Sequence, residues 1–133
     1  MNKKLLSILI VLMTVLFSGC SKNTDVNDES ILLVGHWAEE QSSIEQLQIV
    51  FNADATGSIY FYNCTSNKII DERNFKYAYN KSDMIITLTY TSVSSFDGSG
   101  YKGEIEKITL TYLEKNEMDG TWGDYGRFSL VKQ

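Results

Sequence analysis

The chain has 133 residues, of which 12 are Lys or Arg and 17 are Asp or Glu, and its formal net charge is −5. This length provides for one domain with a single hydrophobic core. An acidic chain without a basic cluster beyond its N-terminus argues against a nucleic-acid partner, because its surface repels the phosphate backbone.

The first twenty residues have the order of a bacterial export signal. Lys3 and Lys4 precede an apolar run of 13 residues, Leu5 to Phe17, and two small residues then lead to Cys20. A helix needs roughly 20 apolar residues to cross a bilayer, so the run indicates a cleaved signal rather than a permanent span. An ordinary secretory signal, cleaved elsewhere and followed by an incidental cysteine, is the alternative.

The residues Phe17-Ser18-Gly19-Cys20 resemble the lipobox of bacterial lipoproteins. The resemblance implies cleavage before Cys20, attachment of palmitate-type acyl chains to that cysteine, and a lipid anchor in a membrane of the cell envelope. Each buried CH₂ of such a chain contributes about 0.8 kcal/mol of membrane affinity. Several chains together would hold the protein on the membrane.

Three segments follow from this interpretation. We predict a signal peptide at residues 1–19, a lipidated cysteine with a flexible tether at residues 20–30, and a folded domain at residues 31–133. The tether is polar and acidic, with too few apolar residues to form a core. Its Cys20-Ser21-Lys22 start and later acidic residues are similar to the surface-export signals of Bacteroidetes lipoproteins, which implies the outer membrane and display at the cell surface.

Few side chains in the domain are suited to catalysis or to metal binding. Loss of the signal peptide would remove two basic and no acidic residues, which changes the formal net charge to −7. Cys64 would be the only thiol besides the lipidated one, and its aromatic surroundings predict a buried, unreactive side chain. His36 is the single histidine, so no metal site is predicted, and the absence of a Ser-His-Asp order argues against a catalytic triad. Glu39, Glu40 and Glu45 are interpreted as a solvated edge, and we expect neither enzyme activity nor a cofactor.

Beyond residue 30, short β-branched or aromatic runs alternate with polar turns, a pattern typical of an all-β domain. A short apolar lead-in, residues 31–34, predicts a helical turn. Strands are predicted at residues 35–41, 46–52, 58–64, 73–80, 84–91, 104–113, 117–122 and 126–131. Eight antiparallel strands with short links predict an up-and-down meander that closes into a β-barrel. A two-sheet sandwich is the structural alternative.

Two features interrupt the regular alternation. In the strand at residues 104–113, the apolar residues from Ile108 onward occupy one face and Ile105 occupies the other. A bulge near Glu106 and Lys107 would restore a common face. The segment at residues 92–103 is rich in Ser and Gly and longer than most hairpin loops, which predicts a mobile lid or lip at one end of the barrel.

The motif Gly35-His36-Trp37, at the head of the first predicted strand, resembles the opening of lipocalin-like domains in small bacterial lipoproteins. The segments 54–57 and 118–122 add to the resemblance. It implies structural roles for Gly35, for Trp37, whose indole would close one end of the barrel, and for Arg127 as the cation that packs across this ring. Such a contact contributes roughly 0.5 to 2 kcal/mol.

The same resemblance implies a membrane-anchored module that binds a small apolar or amphipathic ligand. The candidate lining residues share an inward parity and are aromatic or apolar: Phe61, Tyr77, Tyr79, Ile86, Tyr90, Tyr112 and Trp122. Parity leaves open whether these side chains line a cavity or fill it. The alternative function is a protein-interaction or inhibitor module that uses the acidic surface and the tyrosines Tyr60, Tyr62, Tyr101 and Tyr125.

Overall fold

A computed structural model of the chain describes residues 29–40 and 44–133. The predicted signal peptide, Cys20 and residues 21–28 of the predicted tether lie outside the described residues. So does Gln41 at the end of the first predicted strand.

One helical turn and eight strands make up the described domain. The helix α1 is Glu29–Leu33, and the strands are β1 (Gly35–Glu39), β2 (Glu45–Phe51), β3 (Thr56–Asn63), β4 (Lys68–Asn80), β5 (Ile85–Tyr90), β6 (Ile105–Leu113), β7 (Glu117–Trp122) and β8 (Gly126–Lys132). Each strand pairs antiparallel with the next, and β8 pairs with β1 to close a barrel. The prediction of an eight-stranded up-and-down barrel is confirmed, and the sandwich is excluded.

Alternating residues along each strand form the inner face of the barrel wall. In β2, for example, Leu47, Ile49 and Phe51 are fully buried and the intervening residues are not. Buried side chains from α1 and all eight strands join one apolar cluster, whose members are Leu33, Trp37, Leu47, Ile49, Phe51, Ile59, Phe75, Ile86, Leu88, Tyr90, Ile108, Leu110, Met118, Trp122, Phe128 and Leu130. The centre of the barrel is therefore filled by side chains.

The barrel has two ends of different construction. The α1 end carries α1, the C-terminus and the turns at residues 52–55, 81–84 and 114–116. The loop end carries residues 40 and 44 and the connections at residues 64–67, 91–104 and 123–125.

Trp37 closes the α1 end. Its indole is fully buried, and Nε1 donates a 2.7 Å hydrogen bond to the carbonyl oxygen of Leu33 at the end of α1. Gly35 has a φ of +145°, and a Cβ there would lie 2.5 Å from Cε of Lys132. The Gly-x-Trp motif therefore combines a backbone conformation and a close approach that favour glycine with the ring that seals this end.

The cation over the Trp37 ring is Lys132, and the prediction of Arg127 was wrong. Lys132 Nζ lies 4.9 Å from the ring centroid and donates a 2.9 Å hydrogen bond to the carbonyl oxygen of Leu32. Burial lowers the pKa of Lys132, and the charge of Lys115 lowers it further. Arg127 is exposed near the start of β8, whereas only the end of this strand pairs with β1 and so reaches Trp37.

β4 is longer than predicted. It begins at Lys68 instead of Arg73, because Lys68, Ile69 and Asp71 pair with the end of β3. A shift of register between Phe61 and Tyr62 accommodates an extra residue at this point. Before this shift, Asp71 pairs with Phe61 in the same register as Arg73 with Ile59, and it therefore lies on the inner face of the barrel.

The irregularity in β6 lies closer to its end than predicted. The register of β6 against β7 shifts between Leu110 and Tyr112, whereas the predicted position was near Glu106 and Lys107. Glu106 pairs with Leu88 in an uninterrupted register and keeps its place on the inner face. The shift after Leu110 leaves Tyr112 on the outside of the barrel, where its side chain is 42% exposed.

Candidate functional site

At the loop end, charged side chains occupy the inner face of the barrel. Residues two apart on a regular strand point to the same side of a sheet. Arg73 therefore shares the inner face of β4 with the buried Phe75, and Glu106 shares that of β6 with the buried Ile108. Asp71, two residues before Arg73, lies on this face as well. The loop end thus places charge where the rest of the barrel places apolar side chains.

Glu106 receives two hydrogen bonds from aromatic residues of the core. Its Oε2 accepts one from the hydroxyl of Tyr90 at 2.9 Å and one from Nε1 of Trp122 at 2.6 Å. Both donors are deeply buried, since Tyr90 is 2% and Trp122 is 8% exposed. Burial, followed by the charge of Glu106, raises the pKa of the Tyr90 hydroxyl far above its ordinary value, so Tyr90 remains a hydrogen-bond donor.

Arg73 packs over the ring of the same tyrosine, Tyr90. Its Cζ lies 3.4 Å from the centroid of the Tyr90 ring, and its Nη2 forms a 2.7 Å ion pair with Oε2 of Glu104. Its Nε also donates to the carbonyl oxygen of Ser92 at 3.4 Å. The hydrogen bond from Arg73 lowers the pKa of the Glu104 carboxyl. The guanidinium of Arg73 is therefore paired with one carboxylate and packed over one aromatic ring.

Tyr125 extends this group across the barrel. It belongs to a single 3₁₀ turn, Gly123–Tyr125, and its ring centroid lies 5.8 Å from that of Trp122 and 5.9 Å from that of Phe61. The Tyr125 hydroxyl donates a 2.6 Å hydrogen bond to Oε1 of Glu39, and the side chain remains 39% exposed. Burial, followed by the hydrogen bond to Glu39, raises the pKa of Tyr125.

These residues form one connected set, which we call the loop-end cluster: Glu39, Phe61, Arg73, Tyr90, Glu104, Glu106, Trp122 and Tyr125. They come from β1, β3, β4, β5, β6 and β7 and from the two connections that follow β5 and β7. The cluster therefore depends on closure of the whole barrel.

The long connection between β5 and β6 lies along β4. Ser94 is buried, and its hydroxyl donates a 2.7 Å hydrogen bond to Oδ1 of Asp71. The backbone N–H groups of Glu72 and Asn74 donate 2.8 Å hydrogen bonds to the hydroxyls of Ser95 and Ser92. The first part of the predicted lid or lip, residues 92–95, is thus fastened to the first half of β4.

The seven predicted lining residues separate into three groups. Phe61, Tyr90 and Trp122 belong to the loop-end cluster. Tyr77 and Tyr79, near the end of β4, and Ile86 near the start of β5 pack against the core toward the α1 end. Tyr112 lies on the outside of the barrel, away from the other six.

The predicted lining omitted the charged members of the loop-end cluster. Arg73, Glu104 and Glu106 lie on inner-face positions, but their charged side chains favour a prediction that these residues face the solvent. Their spacing was the available signal, since Arg73 precedes Phe75 by two residues and Glu106 precedes Ile108 by two. Charged residues in phase with a buried face at the end of a strand indicate a polar barrel end.

Two clefts lie on the outer wall of the barrel rather than inside it. One, with a volume of about 990 Å³, follows the outward faces of β7 and β8, and its lining includes four carboxylates and one guanidinium: Glu39, Glu40, Glu117, Asp119 and Arg127. The other, of about 380 Å³, shares Glu39 and Glu40 with it and reaches Tyr62 and Cys64. The outer wall therefore presents an acidic surface along β7 and β8.

Cys64 and His36 lie outside the loop-end cluster. Cys64 is a partly buried free thiol at the edge of the smaller cleft. His36 lies on the outer face of β1, where Nε2 is 2.8 Å from Oε1 of Gln48. In residues 29–40 and 44–133, no group of three or more His, Cys, Asp or Glu side chains is arranged to hold a metal ion.

No protein-family model and no solved structure matches this chain. In the described part of the chain, no helix has the length and hydropathy that a membrane span requires. The eight-stranded barrel is compatible with a lipocalin-like ligand-binding protein.

Proposed function

We propose that the protein is a lipid-anchored lipoprotein of the bacterial envelope whose lipocalin-like barrel binds a small apolar or amphipathic molecule at the loop end, without catalysing a reaction. The observation that carries this proposal is the distribution of exposed apolar side chains. Of the nine large ones exposed in the described residues, seven lie at the loop end, and we call these seven the apolar rim: Ile44, Ile69, Val93, Phe96, Tyr101, Ile105 and Tyr125.

The apolar rim borders the loop-end cluster, so apolar and polar groups meet at one end of the molecule. Small-molecule sites typically combine apolar walls with a few placed polar groups, and concentrated exposed apolar surface marks interaction sites. Because the centre of the barrel is filled, the ligand would lie across the loop end rather than deep inside. Tyr125 belongs to both the apolar rim and the loop-end cluster and would contact the ligand directly.

The proposed anchor leaves this end accessible. α1 enters the barrel at the opposite end and begins nine positions after Cys20. Fully extended, such a segment spans at most about 30 Å. An anchor attached through the α1 end would therefore favour orientations in which the apolar rim points away from the membrane.

Native mass spectrometry of the full chain, purified from bacterial membranes in a mild detergent, tests the ligand. We expect a bound small molecule whose occupancy falls when the rim residues Phe96 and Tyr101 are both changed to Ser. Tyr112→Ser, a similar change on the outer wall, should leave the occupancy unchanged. Absence of any bound molecule, or equal occupancy in all three proteins, would contradict the proposal.

Metabolic labelling with a palmitate analogue tests the anchor. We expect label on the wild-type chain and none on Cys20→Ala, with the variant released from the membrane fraction. Protease treatment of intact cells would then show whether the anchored domain is displayed at the outer surface. Equal labelling of both proteins would contradict lipidation at Cys20.

The acidic cleft on the outer wall favours a second candidate, a protein-interaction or inhibitor module. A basic partner would be attracted by the four carboxylates that line it. Cross-linking in intact envelopes, followed by capture, should then yield a partner that is lost in the double variant Glu117→Lys, Asp119→Lys. The same double variant should not affect a ligand held at the apolar rim.

A further inference from the structure

One oxygen of Glu106 has no partner in the structure. Oε2 accepts both of the hydrogen bonds that Glu106 receives, from Tyr90 and Trp122, and Oε1 accepts none from the described residues. Among those residues, no buried side-chain nitrogen or oxygen lacks a hydrogen-bond partner. Since Oε1 lacks one, it is not fully buried and reaches accessible space at the loop end. The two donors fix the carboxylate so that this oxygen is presented in one orientation.

The negative charge of Glu106 is not paired. No ion pair joins it to a cation within the described residues, and Arg73 is already engaged by Glu104 at 2.7 Å. The other inner-face carboxylates at this end, those of Asp71 and Glu39, add to the excess of negative charge. Asp71 accepts hydrogen bonds from the connection between β5 and β6, and Glu39 accepts them from Tyr125 and from the backbone of Leu47. These donors are all neutral. The inner face of the loop end therefore carries four carboxylates and one guanidinium.

The cluster already contains one complete cation site, which the protein itself occupies. Arg73 lies over the Tyr90 ring at 3.4 Å and is paired with the Glu104 carboxylate. Glu106 also places a carboxylate beside an aromatic ring, since it accepts the indole N–H of Trp122, and the partly exposed Tyr125 ring has its centroid 5.8 Å from that of Trp122. Cations bind both to carboxylates and to the faces of Trp and Tyr rings. This second combination holds no cation from the described residues.

We propose that the loop end selects a ligand with a positively charged amine, which binds Oε1 of Glu106 beside the rings of Trp122 and Tyr125 while the apolar part of the ligand lies on the apolar rim. The inference rests on the proposed ligand-binding function and specifies its chemical class. The ligand is accordingly a small amphipathic organic cation. A neutral or anionic molecule of the same shape would leave the Glu106 carboxylate uncompensated or repelled.

The test uses three water-soluble probes with one aromatic ring and similar size: 2-phenylethylammonium, 2-phenylethanol and phenylacetate. The full chain in detergent is labelled with 5-fluorotryptophan and titrated by ¹⁹F NMR. The chain has two tryptophans, so Trp122 reports on the loop end and Trp37 on the α1 end. We expect the ammonium to shift the Trp122 resonance saturably, with a Kd about tenfold or more below that of the alcohol, and phenylacetate to bind most weakly. The Trp37 resonance should not move.

The variant Glu106→Gln keeps an oxygen acceptor but removes the charge. We expect it to reduce the preference for the ammonium over the alcohol to less than about twofold. Glu117→Gln, an exposed carboxylate on the outer wall, should preserve the preference. If Glu106→Gln does not fold, the order of the affinities of the three probes for the wild-type chain tests the selection of a cation.

The outcomes separate this inference from the proposed function. Equal binding of ammonium and alcohol at Trp122, or a preference that survives Glu106→Gln, would overturn the selection of a cation and leave small-molecule binding intact. A rim-dependent ligand seen by mass spectrometry, with no probe shifting Trp122, would likewise overturn only the cation site. No probe binding together with no bound molecule would refute both.

Discussion

The two tryptophans of this barrel lie at opposite ends and show how differently those ends are built. Trp37 at the α1 end is fully buried and donates its indole N–H to a backbone carbonyl. Trp122 at the loop end is also buried, but it donates to the carboxylate of Glu106, whose second oxygen is unpartnered. One end is sealed by apolar packing, and the other keeps charge on the inner face.

This difference separates the residues that stabilise the fold from those suited to binding. Burial of apolar surface contributes directly to folding, whereas a carboxylate on an inner face loses hydration and needs hydrogen bonds to compensate. Tyr90 and Trp122 supply those hydrogen bonds to Glu106. The α1 end should therefore respond to loss of volume, and the loop end to loss of hydrogen bonds and charge.

The largest effect should come from the α1 end. Trp37→Ala removes the ring that closes it and leaves a cavity beside Leu33, which we expect to lower the free energy of unfolding by about 3 to 5 kcal/mol. Tyr112→Ala on the outer wall should change it by only about 0.5 kcal/mol. Urea unfolding measures both, and a Trp37→Ala effect as small as that of Tyr112→Ala would contradict the proposed difference between the two ends.

At the loop end, Tyr90→Phe should act through one hydrogen bond. It removes a donor to the Glu106 carboxylate without removing the ring, and we expect a loss of about 1.5 kcal/mol. The matched control is Tyr77→Phe, which removes a hydrogen bond from an exposed tyrosine hydroxyl to the carbonyl oxygen of Asn52; its cost should be about 0.5 kcal/mol. Equal losses in the two variants would show that the charged acceptor contributes nothing extra.

A smaller effect distinguishes the two cations of β8. Lys132→Met removes the charge over Trp37 and the hydrogen bond to the carbonyl oxygen of Leu32, and we expect a loss of about 1 kcal/mol. Arg127→Met removes an exposed cation from the same strand and should cost no more than about 0.5 kcal/mol. The reverse order in thermal or urea unfolding would restore Arg127 as the cation that supports Trp37.

The smallest effect concerns pH at the loop end. The pKa of Glu104 in the folded protein lies below its ordinary value of 4.5 because Arg73 donates a hydrogen bond to its carboxylate. Its contribution to stability is therefore present above about pH 4.5 and is lost as the pH falls below that value. The difference in unfolding free energy between the wild type and Glu104→Gln should shrink from pH 7 to pH 3. Equal differences at pH 7 and pH 3 would contradict a stabilising role for the pair of Arg73 and Glu104.

Much of the barrel follows from local patterns. The spacing of apolar runs predicts eight strands, and the helical turn predicted before β1 agrees with the structure. These features depend on neighbouring residues, through alternation and turn composition. Cys20 and the signal peptide lie outside the described residues and remain predictions.

The errors arose where distant strands decide the outcome. Arg127 and Lys132 are both cations on β8, and only the pairing of β8 with β1 determines which one reaches Trp37. In β6, the assumption that Ile105 points inward displaced the predicted bulge. Ile105 instead belongs to the apolar rim, and Glu106 takes the inner position because Tyr90 and Trp122 provide its partners. Each partner lies 16 residues from Glu106, on the strand that precedes or follows β6, and local alternation within β6 does not reveal it.

Closure of the barrel also determines when the free edge of β1 becomes covered. The seam consists of three pairs, in which Trp37, Ala38 and Glu39 of β1 lie opposite Lys132, Val131 and Leu130 of β8. The first strand to be synthesised must therefore wait for the last seven-residue strand before its free edge is covered. Contacts between such distant segments form slowly, and uncovered strand edges promote association with other chains. Until β8 pairs with β1, the folding chain therefore presents an uncovered strand edge that favours association with other chains.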